Sequence, residues 1–175
     1  VLPTPVEPTK MKDSVKKREK GRPRAAFFKL RAWPAEEVFH MVHLYCGEGK
    51  GKTTAAMGLA LRMAGRGRAV VIAQFLKGAD SGERLALAQV PGVRLLEVPE
   101  RVKFSFQLTP AEREAERTRN TRLLALARKA APSCDLLVLD EVCAAVNTGL
   151  LPLEDVLDCL DSLSCEVVLT GRDPA

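Results

Sequence analysis

The sequence has few of the side chains that most often act as nucleophiles, general bases or zinc ligands. It contains only two histidines, His40 and His43, and its five cysteines include no C-x-x-C pair. No Ser-His-Asp or Cys-His arrangement can be assembled from these residues, and neither histidine has partners at the spacing of zinc ligands. We therefore expect both histidines to be structural and the cysteines to be buried, reduced thiols.

Long apolar runs are also absent. No stretch approaches the roughly 20 residues that a membrane-spanning helix needs, and the first residues carry charges without the apolar segment of a signal peptide. Hydrophobic residues still make up 46% of the 175 residues, which is enough for the core of one domain. These features predict a soluble, cytoplasmic protein without a membrane partner.

The formal net charge of +5 is concentrated in one part of the chain. Residues 1–40 hold ten Lys/Arg against five Asp/Glu, whereas residues 41–175 hold seventeen of each. The basic segment begins with prolines and charges and little to bury, which predicts a disordered leader. Because its charge run lacks interleaved aromatic residues, a solvated tail is favoured over a nucleic-acid-binding segment. Met41 stands directly before the first predicted strand, so a native start at that residue is the alternative to a native leader.

A glycine-rich loop is the most informative stretch of the chain. It lies between an apolar run that predicts a buried strand, Val42–Tyr45, and a run with helical spacing, residues 55–63. Its residues are Gly47, Glu48, Gly49, Lys50, Gly51, Lys52, Thr53 and Thr54. Backbone N–H groups of such a loop and of the first helical turn can surround a phosphate, Lys52 can approach the terminal phosphates, and Thr53 offers a hydroxyl to Mg²⁺. We predict a nucleoside triphosphate site, the alternative being an ordinary glycine-rich turn without a ligand.

Two carboxylates end a second informative stretch. Leu136–Leu139 are four apolar residues typical of a buried strand, and Asp140 and Glu141 follow them directly. At the edge of the sheet, beside the glycine-rich loop, one carboxylate can hold Mg²⁺ and the other can orient a ligand. In the alternative interpretation Asp140 only caps the following helix. The upstream loop favours the metal site.

The remaining segments predict an α/β fold with a mainly parallel sheet. Three more stretches are typical of strands: residues 69–75, 93–98 and 166–172. Since open α/β sheets bind ligands at the carboxyl ends of their strands, Lys77, Glu83 and Arg172 are candidate ligand contacts. Arg172 could pair with phosphate. Composition alone favours the alternative that Lys77 and Glu83 are ordinary loop charges.

Two further patterns concern the middle of the chain. Thr109–Glu112 form a capping box with proline at the first helical position, which predicts a long helix that runs to about Ala130. Phe104 and Phe106 are two residues apart, a spacing that predicts a strand face in the core.

The order of these motifs resembles the ATP:corrinoid adenosyltransferase family. The resemblance covers Met41 to Ala175 and rests on six stretches: residues 45–56, 74–78, 82–84, 138–141, 151–154 and 169–172. It accounts for Cys46, which stands where the Walker pattern G-x-x-x-x-G-K-[ST] has its first glycine, because the family also carries a non-glycine there. The resemblance implies a P-loop NTPase-like (RecA-like) three-layer fold, with ATP bound in the reverse of the usual P-loop direction. It also implies that the chain stops after the fifth strand, before the family's last one.

The resemblance further implies a reaction and its participants. The 5′-deoxyadenosyl group of ATP passes to Co(I) of a corrinoid and tripolyphosphate leaves, with Mg²⁺ or Mn²⁺ as cofactor. A reduced flavoprotein or similar donor supplies electrons, the protein is a homodimer, and an N-terminal segment covers the site. Phe104 and Phe106 fall where the family has Phe-x-Trp, residues that crowd out the lower axial ligand of cobalt. The rival functions are a small-molecule kinase and a RecA-like nucleic-acid-dependent ATPase.

Overall fold

The structure is a computed structural model that describes residues 41–173. The predicted leader, including His40, therefore lies outside the described residues. Along the described part of the chain each strand is separated from the next by one α-helix, or by two between the last pair. The strands are β1 Val42–Tyr45, β2 Val70–Gln74, β3 Val93–Leu95, β4 Leu136–Asp140 and β5 Glu166–Thr170; the helices are α1 Lys52–Ala64, α2 Gly82–Leu87, α3 Pro110–Ala130, α4 Val142–Asn147 and α5 Leu153–Asp161. None of these helices has the length and apolar character that crossing a membrane requires.

The five strands form one parallel sheet in the order β1-β5-β4-β2-β3. All residues of β2 and β4 are buried, as their continuous apolar sequences require when helices cover both faces of a parallel sheet. One apolar cluster joins the sheet to α3, α4 and α5, and a second joins it to α1 and α2. The predicted α/β fold with three layers is confirmed.

The prediction of a buried first strand is wrong. Within residues 41–173, β1 pairs on one side only, with β5, and its residues alternate between exposed and half-buried positions. His43 lies in this strand, where its Nε2 atom is 2.7 Å from Oε1 of Glu166. That contact fits the structural role predicted for His43.

Helix α3 confirms the prediction from the capping box. The Thr109 hydroxyl accepts a hydrogen bond from the Glu112 backbone N–H at 3.3 Å, and the Glu112 carboxylate accepts one from the Thr109 N–H at 3.0 Å. Proline occupies the first helical position, and the helix ends at Ala130. These local contacts satisfy N–H groups that the first turn would otherwise leave unpaired.

The strand predicted around the two phenylalanines is not formed. Residues Ser105–Gln107 make a short 3₁₀ helix, and Phe104 and Phe106 are 69% and 80% exposed. Their rings stack on each other with centroids 5.5 Å apart and 11° between the planes. The segment closes a local turn instead of pairing with the free edge of β3 in the described sheet, since the Gln107 N–H donates to the Phe104 carbonyl at 2.9 Å.

The cysteines only partly follow the prediction of buried thiols. All five are free; Cys143, Cys159 and Cys165 are buried, and Cys134 is half-buried. Cys46 is exposed, because it is the first residue of the glycine-rich loop rather than part of the core.

Candidate active site

The glycine-rich loop joins the end of β1 to the start of α1. Gly47 and Gly51 have φ angles of 122° and 106°, in a region that residues with a Cβ rarely adopt, so both turns require glycine. The Gly47 N–H donates to the carbonyl of Arg172 at 2.8 Å, and the Gly171 N–H donates to the carbonyl of Tyr45 at 3.2 Å. These two bonds fix the start of the loop to the end of the neighbouring strand β5.

Lys52 lies over this loop. Its Nζ atom donates to the Gly49 carbonyl at 2.7 Å and also to the Gly47 carbonyl. Glu48, Lys50 and the loop glycines are exposed, and α1, which starts at Lys52, directs the free N–H groups of its first turn toward the same space. The loop therefore presents the ammonium groups of Lys50 and Lys52 and a helix N-terminus, an arrangement suited to an anion.

Asp140 is the centre of a hydrogen-bond network at the end of β4. Its carboxylate is fully buried. Oδ1 accepts from the Thr53 hydroxyl at 2.9 Å and from the Thr170 hydroxyl at 2.7 Å, and Oδ2 accepts from Gln74 Nε2 at 3.0 Å and Lys77 Nζ at 2.9 Å. Burial by itself would raise the pKa of Asp140, but the hydrogen bonds from Gln74 and Lys77 and the charge of Lys77 hold this pKa below its ordinary value. The carboxylate is therefore ionised at neutral pH.

Lys77 contributes the ammonium group of this network. Nζ is 2.9 Å from Asp140 Oδ2, 3.0 Å from Glu83 Oε1 and 3.2 Å from the Thr53 hydroxyl. Burial lowers the pKa of Lys77, but the hydrogen bonds and charges of Asp140 and Glu83 outweigh burial and raise this pKa above its ordinary value. Partial burial would raise the pKa of Glu83, but the hydrogen bond and the charge of Lys77 hold this pKa below its ordinary value. All three groups are therefore charged.

The alternative interpretation of Asp140 as a simple helix cap does not match the structure. The residue at the cap position of α4 is Glu141, whose side chain makes no capping hydrogen bond. Glu141 has a φ of 60°, which turns the chain from strand to helix, and its N–H donates to the Thr170 hydroxyl at 2.8 Å. The Asp140 carboxylate instead faces Thr53, in the first turn of α1.

The other predicted site residues lie outside this network. Arg172 is exposed at the rim of the glycine-rich loop, with Nη1 3.9 Å from Glu48 Oε2. Phe104 and Phe106 are in contact with each other and with solvent. Thr54 is exposed on α1 next to Thr53.

Three residues of the network were not predicted from the sequence. Gln74 and Thr170 each end a buried strand and donate to Asp140. Arg84 is buried; its Nη1 donates to Gln74 Oε1 at 3.0 Å and its Nη2 donates to the Leu96 carbonyl at 2.9 Å. Because Oε1 of Gln74 accepts from Arg84, its NH₂ group must face Asp140. A polar residue directly after a buried apolar run was the signal available for Gln74 and Thr170.

A cavity of about 260 Å³ adjoins the network on the side of α3. Gln74 and Lys77 line one part of it, and Arg119 and Asn120 of α3 line another. The rest of its wall is partly apolar, with Leu76, Val98, Pro99, Val102, Leu123 and Leu126, and partly charged, with Glu97, Glu116 and Arg122. The Asp140 network is thus connected through Lys77 to a space that could receive part of a ligand.

Comparison with known proteins decides between the possible families. The family model for ATP:corrinoid adenosyltransferase BtuR/CobO/CobP matches residues 39–175. The chain belongs to this family. It is an adenosyltransferase, and ATP and a corrinoid are the family's substrates.

Curated relatives agree with this assignment. The chain is 35% identical over 152 residues to corrinoid adenosyltransferase CobA of Salmonella typhimurium, which covers 81% of this chain and 72% of the relative. It is 34% identical over 145 residues to the corrinoid adenosyltransferase of Escherichia coli K12, with the same coverage of both chains. The Pseudomonas aeruginosa corrinoid adenosyltransferase is 33% identical over 135 residues, or 74% of this chain and 64% of the relative.

Proposed function

We propose that residues 41–175 form an adenosyltransferase domain that moves the 5′-deoxyadenosyl group of ATP to Co(I) of a corrinoid and releases tripolyphosphate. The electron pair of Co(I) forms the bond to the 5′-carbon, the bond between this carbon and its phosphate oxygen breaks, and tripolyphosphate leaves with that bond pair. The observation that carries the proposal is the position of Lys52 over the glycine-rich loop, next to the linked pair Thr53 and Asp140. Positive charge at this place stabilises a departing polyphosphate.

The nucleophile in this reaction belongs to the substrate, so the protein needs no activated serine, cysteine or histidine. The chain's own residues have three tasks. Gly47 to Thr54 bind the phosphates through backbone N–H groups, Lys52 neutralises charge on the leaving group, and Arg172 at the rim of the loop pairs with phosphate. Together they hold the 5′-carbon where cobalt can approach opposite the leaving oxygen.

The residues of the network fit Mg²⁺ or Mn²⁺. The Thr53 hydroxyl and the Asp140 carboxylate are oxygen ligands of the kind that these ions prefer, and they are already 2.9 Å apart. Thr53 and Asp140 would hold the ion, and Glu141, which follows at the end of β4, would orient it or the nucleotide. When bound, the ion supplies further positive charge to the outgoing phosphate chain.

The proposal extends to partners. An electron donor such as a reduced flavoprotein converts Co(II) to Co(I), the enzyme is a cytoplasmic homodimer, and neither a membrane nor a nucleic acid is a partner. The balanced charge of residues 41–175, with seventeen basic and seventeen acidic residues, argues against a nucleic-acid motor.

The phosphorus product tests the reaction. We expect that protein, MgATP and chemically reduced cobalamin give tripolyphosphate and an alkylated corrinoid in equal amounts, because the bond that breaks is at the 5′-carbon. Phosphorus NMR identifies the phosphate product, and the visible spectrum quantifies the corrinoid. ADP with an unchanged corrinoid would favour the kinase, and hydrolysis that depends on added DNA or RNA would favour the motor.

Substitutions at Phe104 and Phe106 test whether these side chains crowd out the lower axial ligand of cobalt. Exposed aromatic rings are available to contact a planar corrinoid, and removing that ligand makes Co(II) easier to reduce. We expect Phe104→Ala and Phe106→Ala to lower turnover from Co(II) by at least about tenfold, the effect of roughly 1.4 kcal/mol, while turnover from chemically supplied Co(I) changes much less. Equal losses in the two assays would refute the role. Leu61→Ala, an exposed apolar change on α1 away from the cavity, is the matched control.

A further inference from the structure

The Lys77 ammonium group is surrounded by the oxygens that a divalent ion would use. We infer that Lys77 is a built-in counter-cation that competes with the divalent ion for Thr53 and Asp140 and moves away from Asp140 when the ion binds. This inference rests on the proposed metal site. It assigns to Lys77 the control of metal affinity, a role distinct from contact with the nucleotide.

The contacts of Nζ account for all of its hydrogen-bonding capacity. An ammonium group has three N–H donors, and Lys77 has three oxygen acceptors within 3.2 Å: Asp140 Oδ2, Glu83 Oε1 and the Thr53 hydroxyl. Two of these acceptors belong to the proposed metal ligands. Lys77 therefore neutralises the negative charge of Asp140 and contacts the same oxygens that the ion would bind.

Simultaneous occupancy by both cations is unfavourable. Mg²⁺ binds oxygen at about 2.1 Å, so an ion on the Thr53 hydroxyl would lie no more than about 5 Å from Nζ if Lys77 kept its present place. Asp140 is fully buried and Lys77 is mostly buried, and charges in such surroundings are poorly screened by water. The two cations must repel each other strongly, and the lysine side chain is the one that can move.

Glu83 is an ion-pair partner that Lys77 can keep after it leaves Asp140. This carboxylate is in the first turn of α2, outside the Thr53–Asp140 pair, and it is partly exposed. Lys77 can keep its ion pair with Glu83 while it gives up Asp140. The buried Asp140 charge is then compensated at every stage, first by the lysine and then by the metal, which avoids an unpaired buried carboxylate.

The consequence is that a free metal ion binds weakly by itself. To enter, it must displace an ammonium group that is already bonded to its ligands. ATP favours the exchange, because its phosphates offer the metal further oxygen ligands. Lys77 thus couples the arrival of metal to the arrival of nucleotide.

Mn²⁺ binding without nucleotide tests the inference. Free Mn²⁺ is measured by electron paramagnetic resonance during titration of the full chain and its variants. We expect Lys77→Met to bind Mn²⁺ at least tenfold more tightly than the unmodified protein, because the competing charge is gone. Lys77→Arg, which keeps the charge, and Lys129→Met, an exposed lysine in the last turn of α3, should stay within about twofold of the unmodified protein. Equal or weaker Mn²⁺ binding by Lys77→Met would overturn the inference.

A second measurement uses the protein without substitution. Saturating Mg²⁺ should at least double the rate at which an acetylating reagent modifies Lys77, relative to Lys129, since displacement from Asp140 frees the amine. Mass spectrometry of the digested protein gives both rates, and no change at Lys77 would contradict the exchange. Neither measurement involves a corrinoid. A wrong phosphorus product would therefore refute the proposed reaction without altering these results, and failure of these results would leave the reaction untouched.

Discussion

Replacing Lys52 with alanine should lower the rate of adenosyl transfer by at least about 10²-fold, the usual effect of removing one group that stabilises charge in a transition state. Lys52 Nζ is placed by the Gly47 and Gly49 carbonyls over the loop that is proposed to bind the leaving group. Alanine leaves the backbone N–H groups of the loop in place but removes the ammonium charge. Tripolyphosphate would then depart with one fewer cation beside it.

The assay for this prediction must isolate the transfer step. Chemically reduced Co(I) is supplied directly, MgATP is saturating, and formation of the adenosylated corrinoid is followed by its visible spectrum. Lys129→Ala, an exposed change at the far end of α3, should retain full activity. Turnover close to that of the unmodified enzyme in Lys52→Ala would refute the assignment of Lys52.

Folding is not expected to explain the loss. Lys52 is only half-buried and its two hydrogen bonds are to carbonyls of an exposed loop, so the free energy of unfolding should change by no more than about 1 kcal/mol. Urea unfolding of Lys52→Ala, compared with the unmodified protein, separates the two effects. If Lys52→Ala loses much of its stability, its activity must be divided by the fraction of the variant that is folded in the assay.

Features with local causes were predicted correctly from the sequence. The capping box of Thr109 and Glu112 involves residues three apart, so its pattern contains the whole hydrogen-bonding arrangement. The glycine-rich loop predicted from the sequence also turns at single residues, since Gly47 and Gly51 have positive φ angles. Continuous apolar strands predicted a parallel sheet, because only a strand covered on both faces tolerates that composition.

Features that depend on distant partners could not be predicted in the same way. Gln74 and Asp140 are 66 residues apart, and they meet because they are opposite each other in the register of β2 and β4. Arg84 acts on this pair through a further contact. Until the order of the strands is known, a polar residue at a strand end has no identified partner. The sequence therefore indicated which ends of strands matter, but not which side chains meet there.

For Phe104 and Phe106 the sequence instead predicted an element that the structure does not contain. A spacing of two residues predicted a strand at Phe104 and Phe106, but that spacing describes only the alternation of side chains along an extended chain. Whether a strand forms also depends on pairing with a neighbour, and here the chain closes a 3₁₀ turn instead, with the Gln107 N–H bonded to the Phe104 carbonyl. Exposure of both rings, rather than burial, is what suits them to the role that the family resemblance implies.

Replacing Asp140 with alanine should abolish transfer and also destabilise the protein by about 3 kcal/mol or more, the usual cost of removing one partner of a buried ion pair. Four hydrogen-bond donors lose their acceptor, and they come from α1, β2, β5 and the loop after β2. Lys77 keeps only Glu83 as a charged partner among these contacts. Urea unfolding measures the stability, and Asp158→Ala, an exposed change on α5, should stay within about 0.5 kcal/mol of the unmodified protein.

The double variant Asp140→Ala/Lys77→Met distinguishes the structural role of the carboxylate from its role as a metal ligand. Removing both charges eliminates the unpaired ammonium group that penalises the single variant, so the double variant should recover a substantial part of the lost stability. It should remain inactive and should fail to bind Mn²⁺, because the carboxylate ligand is still missing. Recovery of transfer together with stability would show that Asp140 serves only to hold the fold, and the metal site would then have to be sought among other oxygens at the ends of β4 and β5.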